Sequence, residues 1–140
     1  MRAGKKIPKP INFEKKAIIG LSICYDLRFP EVSRNLAVNG AEVIITTSAW
    51  PEARIEHFNL LASARALENT CYHIALSRIG EEEDIIRTVY PGSSRIIDPM
   101  GEVIVTAEGK EEVITAILIG EKLDQAREYI PVLKDRKEDY

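Results

Sequence analysis

The spacing of apolar and polar positions changes character along the chain. Residues 1–16 are polar and include Pro8 and Pro10, so they read as an extended lead-in. Residues 17–24, Ala-Ile-Ile-Gly-Leu-Ser-Ile-Cys, form a short apolar run of the kind that makes a strand buried on both faces. Helical signals take over at 30–40. Pro30 suits a first turn, Glu31 favours the positive amino end, and Asn39-Gly40 suits the carboxyl-terminal cap. A second buried strand is expected at 41–50. A helix follows at 53–70, with Ile55, Phe58, Leu61, Ala62 and Ala66 on its apolar side, and then a third strand at 71–80. Strand, short helix and strand imply parallel right-handed crossovers. Residues 81–88 read as a solvated, charged loop. From 93 to 120 the period becomes two and predicts a three-stranded meander, with turns at Asp98-Pro99-Met100-Gly101 and Glu108-Gly109-Lys110. A short helix at 121–128 and a charged tail complete the chain. The class is therefore α/β, with a mixed sheet.

Composition narrows the function classes. At 140 residues, 45% hydrophobic and 29% charged, the chain suits one globular domain with a real core. A net charge of −3 gives no basic footprint for nucleic acid. No apolar stretch reaches membrane-spanning length, and the basic start runs into lysines and prolines where a signal peptide would need an apolar segment. These features predict a cytoplasmic protein with no nucleic-acid or membrane partner. Cys24 and Cys71 are too few for a disulfide framework. His57 and His73 are far apart, and neither a zinc motif nor a phosphate loop occurs, so no metal or cofactor is expected.

Chemistry concentrates at Leu21-Ser-Ile-Cys-Tyr-Asp-Leu-Arg-Phe-Pro-Glu31. Cys24 ends a strand shortly before a helix. One reading makes it a small buried hydrophobe. The other makes it a nucleophile exposed at the carboxyl edge of the sheet, where α/β folds place their ligands and where backbone N–H groups can face an oxyanion. A thiol nucleophile needs a base, and His57, His73, Asp26 and Glu31 are the candidates within the chain. His57 also reads as a surface histidine, His73 as a satisfied core histidine, and Asp26 as a turn cap. Cys71 starts its strand at the opposite end and reads as core.

The segments GLSICYDLRFPE, GAEVIITTSAWP, ARALEN, GSSRIIDPMGEV and IPVLKDRKEDY occur in one order along nearly the whole chain. Together they resemble the nitrilase superfamily of carbon–nitrogen hydrolases, in its amidase branch with ω-amidase-like and Nit-type proteins. The resemblance implies an α-β-β-α sandwich, commonly dimeric, and a Glu–Lys–Cys triad that hydrolyses a non-peptide C–N bond of a small amide through a cysteine thioester. It makes Cys24 the nucleophile and the Tyr25 N–H half of the oxyanion hole. Ala49, Trp50 and Pro51 would shape the acyl pocket, with Arg28 near the pocket or anchoring the turn. It assigns Arg65, Glu68 and Asn69 to structural ion pairing.

The same resemblance implies that residues 1–140 are one partial domain, its carboxyl-terminal half. The family's base glutamate and its lysine belong to an amino-terminal half, and the lysines before Cys24 lie too close to it to serve. Two functions follow as expectations. One is an amidase-type hydrolase that is incomplete in this chain and inactive alone. The other is a non-catalytic truncated domain acting as an oligomerising or interaction module. A reactive Cys24 working without the triad is a third. An uncovered sheet surface and edge would favour a homo-oligomer, with the alanine face around Ala62 and Ala66 either at the contact or packed on its own sheet.

Overall fold

The computed structural model describes residues 4, 6–83, 85 and 87–137. The start Met1-Arg2-Ala3, Lys5 and the final Glu138-Asp139-Tyr140 lie outside the described residues. Three parallel strands form the centre: β2 (Ala17–Ile23), β3 (Val43–Ser48) and β4 (Tyr72–Ser77), crossed by α1 (Pro30–Val38) and α2 (Ile55–Asn69). The strands β1 (Ile11–Phe13), β7 (Arg95–Ile97) and β8 (Val103–Thr106) add antiparallel, and the six-stranded order is β1-β2-β3-β4-β7-β8. This is the mixed α/β sheet that the apolar runs imply.

The helices take one face of the sheet. Gly20 lets α1 approach closely, since a Cβ there would sit 3.0 Å from Leu36 Cβ and 3.3 Å from Ala41 Cβ. Leu36, Ala37, Ala41, Ile44 and Cys71 form one buried cluster, and Leu27, Trp50, Phe58, Ala62, Ala66, Ala75 and Ile97 form another beneath α2. Ala62 and Ala66 are thus consumed by the chain's own core and have no surface to offer a partner. The caps follow the residues. Pro30 opens α1, and Gly40 turns with φ 96° after Asn39, its N–H donating to the Ala37 carbonyl at 2.9 Å.

Among the described residues the opposite face is covered mainly at one end. There Leu123 of α3 (Gly120–Tyr129) packs on Val43 and Tyr72. Across the rest of that face the register lines up Leu21, Ile45, Ile74 and Ile96, and beside them Ile23, Thr47 and Leu76. Ile96 is buried and Ile45 and Ile74 pack against the Leu123 cluster, so the exposed part lies around Leu21, Ile23 and Leu76. Leu21 is 44% exposed and Ile23 68%. No helix among the described residues is long and apolar enough to cross a membrane.

Four expectations change. Part of the lead-in is β1, paired to β2 across a turn in which Lys15 N–H donates to Asn12 Oδ1 at 2.9 Å. The third strand ends at Ser77, and the charged segment after it forms a two-stranded hairpin, β5 (Ile79–Glu83) with β6 (Arg87–Pro91). Arg87 pairs with Glu81 at 2.8 Å across this hairpin, and Arg78 lies 4.3 Å over the Tyr90 ring, so charge that looked like loop supplies cross-strand contacts. The meander keeps two strands. Residues 112–119 belong to no ladder; they leave β8 and bring Ile119 to Tyr72, whose hydroxyl donates to the Ile119 carbonyl at 3.0 Å. Finally, the tail includes a short helix, α4 (Val132–Asp135).

Candidate active site

Cys24 begins a 3-10 turn, Cys24–Arg28, at the carboxyl end of β2. Its φ is 46°, in the left-handed region that disfavours an L side chain by about 1–2 kcal/mol. Such strain persists where neighbours over-determine it, and three contacts do so here. Asp26 Oδ2 accepts the Ile23 N–H at 3.0 Å, so Asp26 is the turn cap, and its carbonyl accepts Phe29 N–H at 3.0 Å. Buried Leu27 anchors the turn in the core. The third contact comes from α2, where Arg65 Nε donates to the Leu27 carbonyl at 3.0 Å.

That last bond enlarges the reading of the Arg65-Ala-Leu-Glu-Asn segment. Arg65 does pair with Glu68 at 2.9 Å, and Asn69 Nδ2 donates to the Arg65 carbonyl at 2.9 Å. The pair also holds a buried guanidinium against the turn that carries Cys24. The motif was visible in the sequence, but its target 38 residues away was not.

Around the thiol the structure gathers most of the named residues. Cys24 is half-buried and its Sγ lies 3.9 Å from the Ala49 carbonyl oxygen. Ala49, Trp50 and Pro51 follow β3 directly. Trp50 is buried against Phe58, with ring centroids 5.9 Å apart, and its Nε1 has no hydrogen-bond partner among the described residues. The Arg28 guanidinium stacks over the Trp50 ring at 4.5 Å and reaches His57 Nδ1 at 3.5 Å. The Tyr25 side chain turns outward and meets Phe29 edge-on at 5.3 Å. A groove lined by Ile7, Leu21, Ser22, Ile23, Asp26 and Val32 runs from the bare sheet face to this turn.

The candidate bases do not meet the thiol. His57 contacts Arg28, Asp26 caps the turn, Glu31 is exposed on α1, and His73 is fully buried in the core. Among the described residues the Ala49 carbonyl is the one hydrogen-bond contact of Cys24 Sγ. No cluster of three His, Cys, Asp or Glu among them is arranged to hold a metal.

Cys71 is its opposite. It is buried, with Sγ 3.1 Å from the Ala41 carbonyl and 3.2 Å from that of Asn69, while Arg127 Nη2 donates to the sulfur at 3.4 Å. Burial pushes its thiol pKa up, against a smaller downward pull from Arg127.

Parallel central strands with a strained cysteine at their carboxyl edge define an α/β protein with a thiol turn, and comparison with known proteins gives the family. Residues 1–128 match the carbon–nitrogen hydrolase family, and the chain belongs to it, in the amidase branch of the nitrilase superfamily. The chain is 37% identical over 123 residues to the 2-oxoglutaramate amidase of Paenarthrobacter nicotinovorans, covering 88% of this chain and 41% of that protein. It is 36% identical over 137 residues to the deaminated glutathione amidase of Escherichia coli O157:H7, covering 96% and 49%. Among solved structures, Nit3 of Saccharomyces cerevisiae superposes with a TM-score of 0.88 at 30% identity, covering all of this chain and 50% of that one. The chain spans about half the length of the curated relatives it matches.

Proposed function

We propose that this chain is the nucleophile-bearing half of an amidase-type carbon–nitrogen hydrolase acting on a small amide. The observation that supports this most is Cys24, held at φ 46° at the carboxyl edge of the sheet with Ala49 and Trp50 against it. In this reading the Cys24 sulfur attacks the amide carbonyl and a C–S bond forms. The Tyr25 N–H meets the oxyanion. Collapse breaks the C–N bond, and the thiol proton, carried by a base, leaves with the nitrogen as ammonia. Water then adds to the thioester and releases the acid and the thiol. These are nucleophilic and acid–base steps and call for no cofactor. Arg28, Ala49, Trp50 and Pro51 wall the acyl pocket. The base glutamate and the oxyanion lysine come from a complementary half-domain, which docks on the exposed apolar face around Leu21, Ile23 and Leu76. Its unpaired thiols fit a cytoplasmic setting.

A second reading has its own support. The open apolar face, with no base against the thiol among the described residues, also suits a non-catalytic module that oligomerises over that face. One experiment separates the two. The chain is assayed for ammonia release from small ω-amides, alone and after reconstitution with the complementary half of a relative. Alone it stays at background; reconstituted, it turns over, and Cys24→Ala abolishes this. A reconstituted complex that forms but stays silent supports the module, and turnover unaffected by Cys24→Ala overturns the assignment of the nucleophile. Sedimentation equilibrium of the chain alone reads its self-association.

A further inference from the structure

Three polar side chains interrupt the helix-facing side of the sheet. Ser22 Oγ and Thr46 Oγ1 are 2.7 Å apart, Thr46 Oγ1 and His73 Nε2 are 2.8 Å apart, and His73 Nδ1 lies 2.8 Å from the Ala62 carbonyl oxygen. All three residues are buried. A carbonyl only accepts, so Nδ1 carries the proton. The neutral ring then presents Nε2 as an acceptor, and Thr46 donates its hydroxyl to it. Having given its proton there, Thr46 accepts from Ser22. The contacts thus form one directed chain, from the Ser22 hydroxyl through Thr46 and His73 to the carbonyl of α2. Burial holds the His73 pKa down at about 4, against the Ala62 hydrogen bond and with help from the Arg65 guanidinium, so the ring is neutral at neutral pH.

The placement of this chain gives it a use. The parallel strands β2, β3 and β4 are apolar on both faces, so a one-residue slip exchanges one apolar face for the other, and hydrophobic pattern alone specifies register weakly. Such a slip would carry Ser22, Thr46 and His73 to the other face and strand their polar groups. Ser22 stands two residues before Cys24 on β2, and Thr46 stands four before Trp50. Ala62, the acceptor at the far end, belongs to the cluster on which Trp50 and Cys24 pack.

We infer that the chain Ser22–Thr46–His73–Ala62 sets the relative level of β2, β3 and α2, and makes Ser22, Thr46 and His73 positioning residues for Cys24. The inference rests on Cys24 being the nucleophile. It concerns how the strained turn is held, not which groups react.

Two measurements test it. Long-range ¹⁵N correlation NMR of the labelled 140-residue chain at pH 7 reads the His73 tautomer directly, and a proton on Nδ1 is expected; a proton on Nε2 overturns the directed chain. Iodoacetamide labelling with mass spectrometry then compares wild type, Thr46→Val, which removes the hydroxyl at constant shape, and Thr46→Ser, which keeps it. Expected for Thr46→Val is Cys24 labelling slower by about fivefold, the equivalent of one net hydrogen bond, with Thr46→Ser close to wild type. Cys71 in the same sample reports opening of the core. A Thr46→Val chain that labels Cys24 at the wild-type rate overturns the inference, and faster Cys71 labelling alongside marks a loss of stability only. If Thr46→Val does not fold, the wild-type tautomer decides. Wild-type labelling that favours Cys71 over Cys24 defeats the nucleophile reading itself and leaves the tautomer result standing on its own.

Discussion

The two ends of the parallel strands are built on opposite plans. At the amino end the thiol and the chain around it are tied down by charged side chains, although Asn69 Oδ1 and Thr70 Oγ1 are buried there without a partner among the described residues. Arg127 Nε donates to the Thr70 carbonyl at 3.1 Å and Nη2 to that of Ala41 at 2.8 Å, and Cys71 is sealed beneath it. Nearby, Asp98 accepts from Met100 N–H and Glu102 N–H, both at 2.9 Å, and from Lys122 at 2.6 Å. At the carboxyl end Cys24 sits at positive φ, its sulfur touches one distant carbonyl, the Trp50 N–H is unpartnered among the described residues, and the sheet face beside it is bare. Both ends carry a cysteine, so the residue type does not distinguish them; the burial and contacts of the sulfur do, three close partners for Cys71 against one distant carbonyl for Cys24. One thiol is locked into the fold by its hydrogen bonds, and the other is left accessible on a strained turn.

The contrast between the thiols is the easiest to break. In the native chain Cys24 labels about a thousandfold faster than Cys71, because Cys71 waits for an opening that costs on the order of 4 kcal/mol, tenfold for each 1.4 kcal/mol. Iodoacetamide labelling read by mass spectrometry checks it, and preferential labelling of Cys71 reverses the assignment. Next comes the packing beneath the turn. Phe58→Ala empties the cluster under Trp50 and Leu27 and costs about 4 kcal/mol in urea denaturation.

Acid sharpens the comparison from the middle of the sheet. The folded pKa of His73, about 4, lies below its ordinary 6.5, so between these values the unfolded chain binds more protons. The stability this protects is complete above about 6.5 and is lost as pH falls toward 4, by about 3 kcal/mol. Denaturation midpoints between pH 7 and 4 measure it, and a His73→Phe chain that folds loses that part of the slope. The smallest effect belongs to the amino end. Burial alone would raise the Asp98 carboxyl, but hydrogen bonds from Lys122, Glu102 N–H and Met100 N–H outweigh it and hold its pKa below the usual carboxylate range. Lys122→Met leaves the two N–H bonds in place and costs about 1 kcal/mol in the same assay.

Much of this was legible in the residues, for identifiable reasons. The runs at 17–24, 41–50 and 71–80 are short and mostly apolar, a strand's signature, and strands occupy Ala17–Ile23, Val43–Ser48 and Tyr72–Ser77 within them, while the Pro30 and Asn39-Gly40 signals act through local backbone geometry. Cys24 could be singled out because it stands where such a run stops. The β5–β6 hairpin was not legible, because its strands have no apolar alternation and are joined by pairs such as Arg87–Glu81. Residues 112–119 carry a strand's alternation without a strand's partner, and alternation reports only which side is buried. The Arg65 bond to Leu27 and the chain through Ser22, Thr46 and His73 join residues 24 to 38 positions apart, the latter on three separate strands, so sheet register had to be known first.

Residues 112–119 carry one more consequence, for how the chain keeps in solution. From Val113 to Ile119 there is no charge and no proline, and Val113 is 90% and Ile117 86% exposed. Seven extended residues of this kind, outside any ladder, are the composition that stacks into cross-β fibrils. What stands guard is the charge at either end, Lys110, Glu111 and Glu112 before it and Glu121 and Lys122 after it, in the manner of gatekeepers. Neutralising the three glutamates would leave the stretch flanked by two lysines alone, which makes these carboxylates the guard against stacking of this segment.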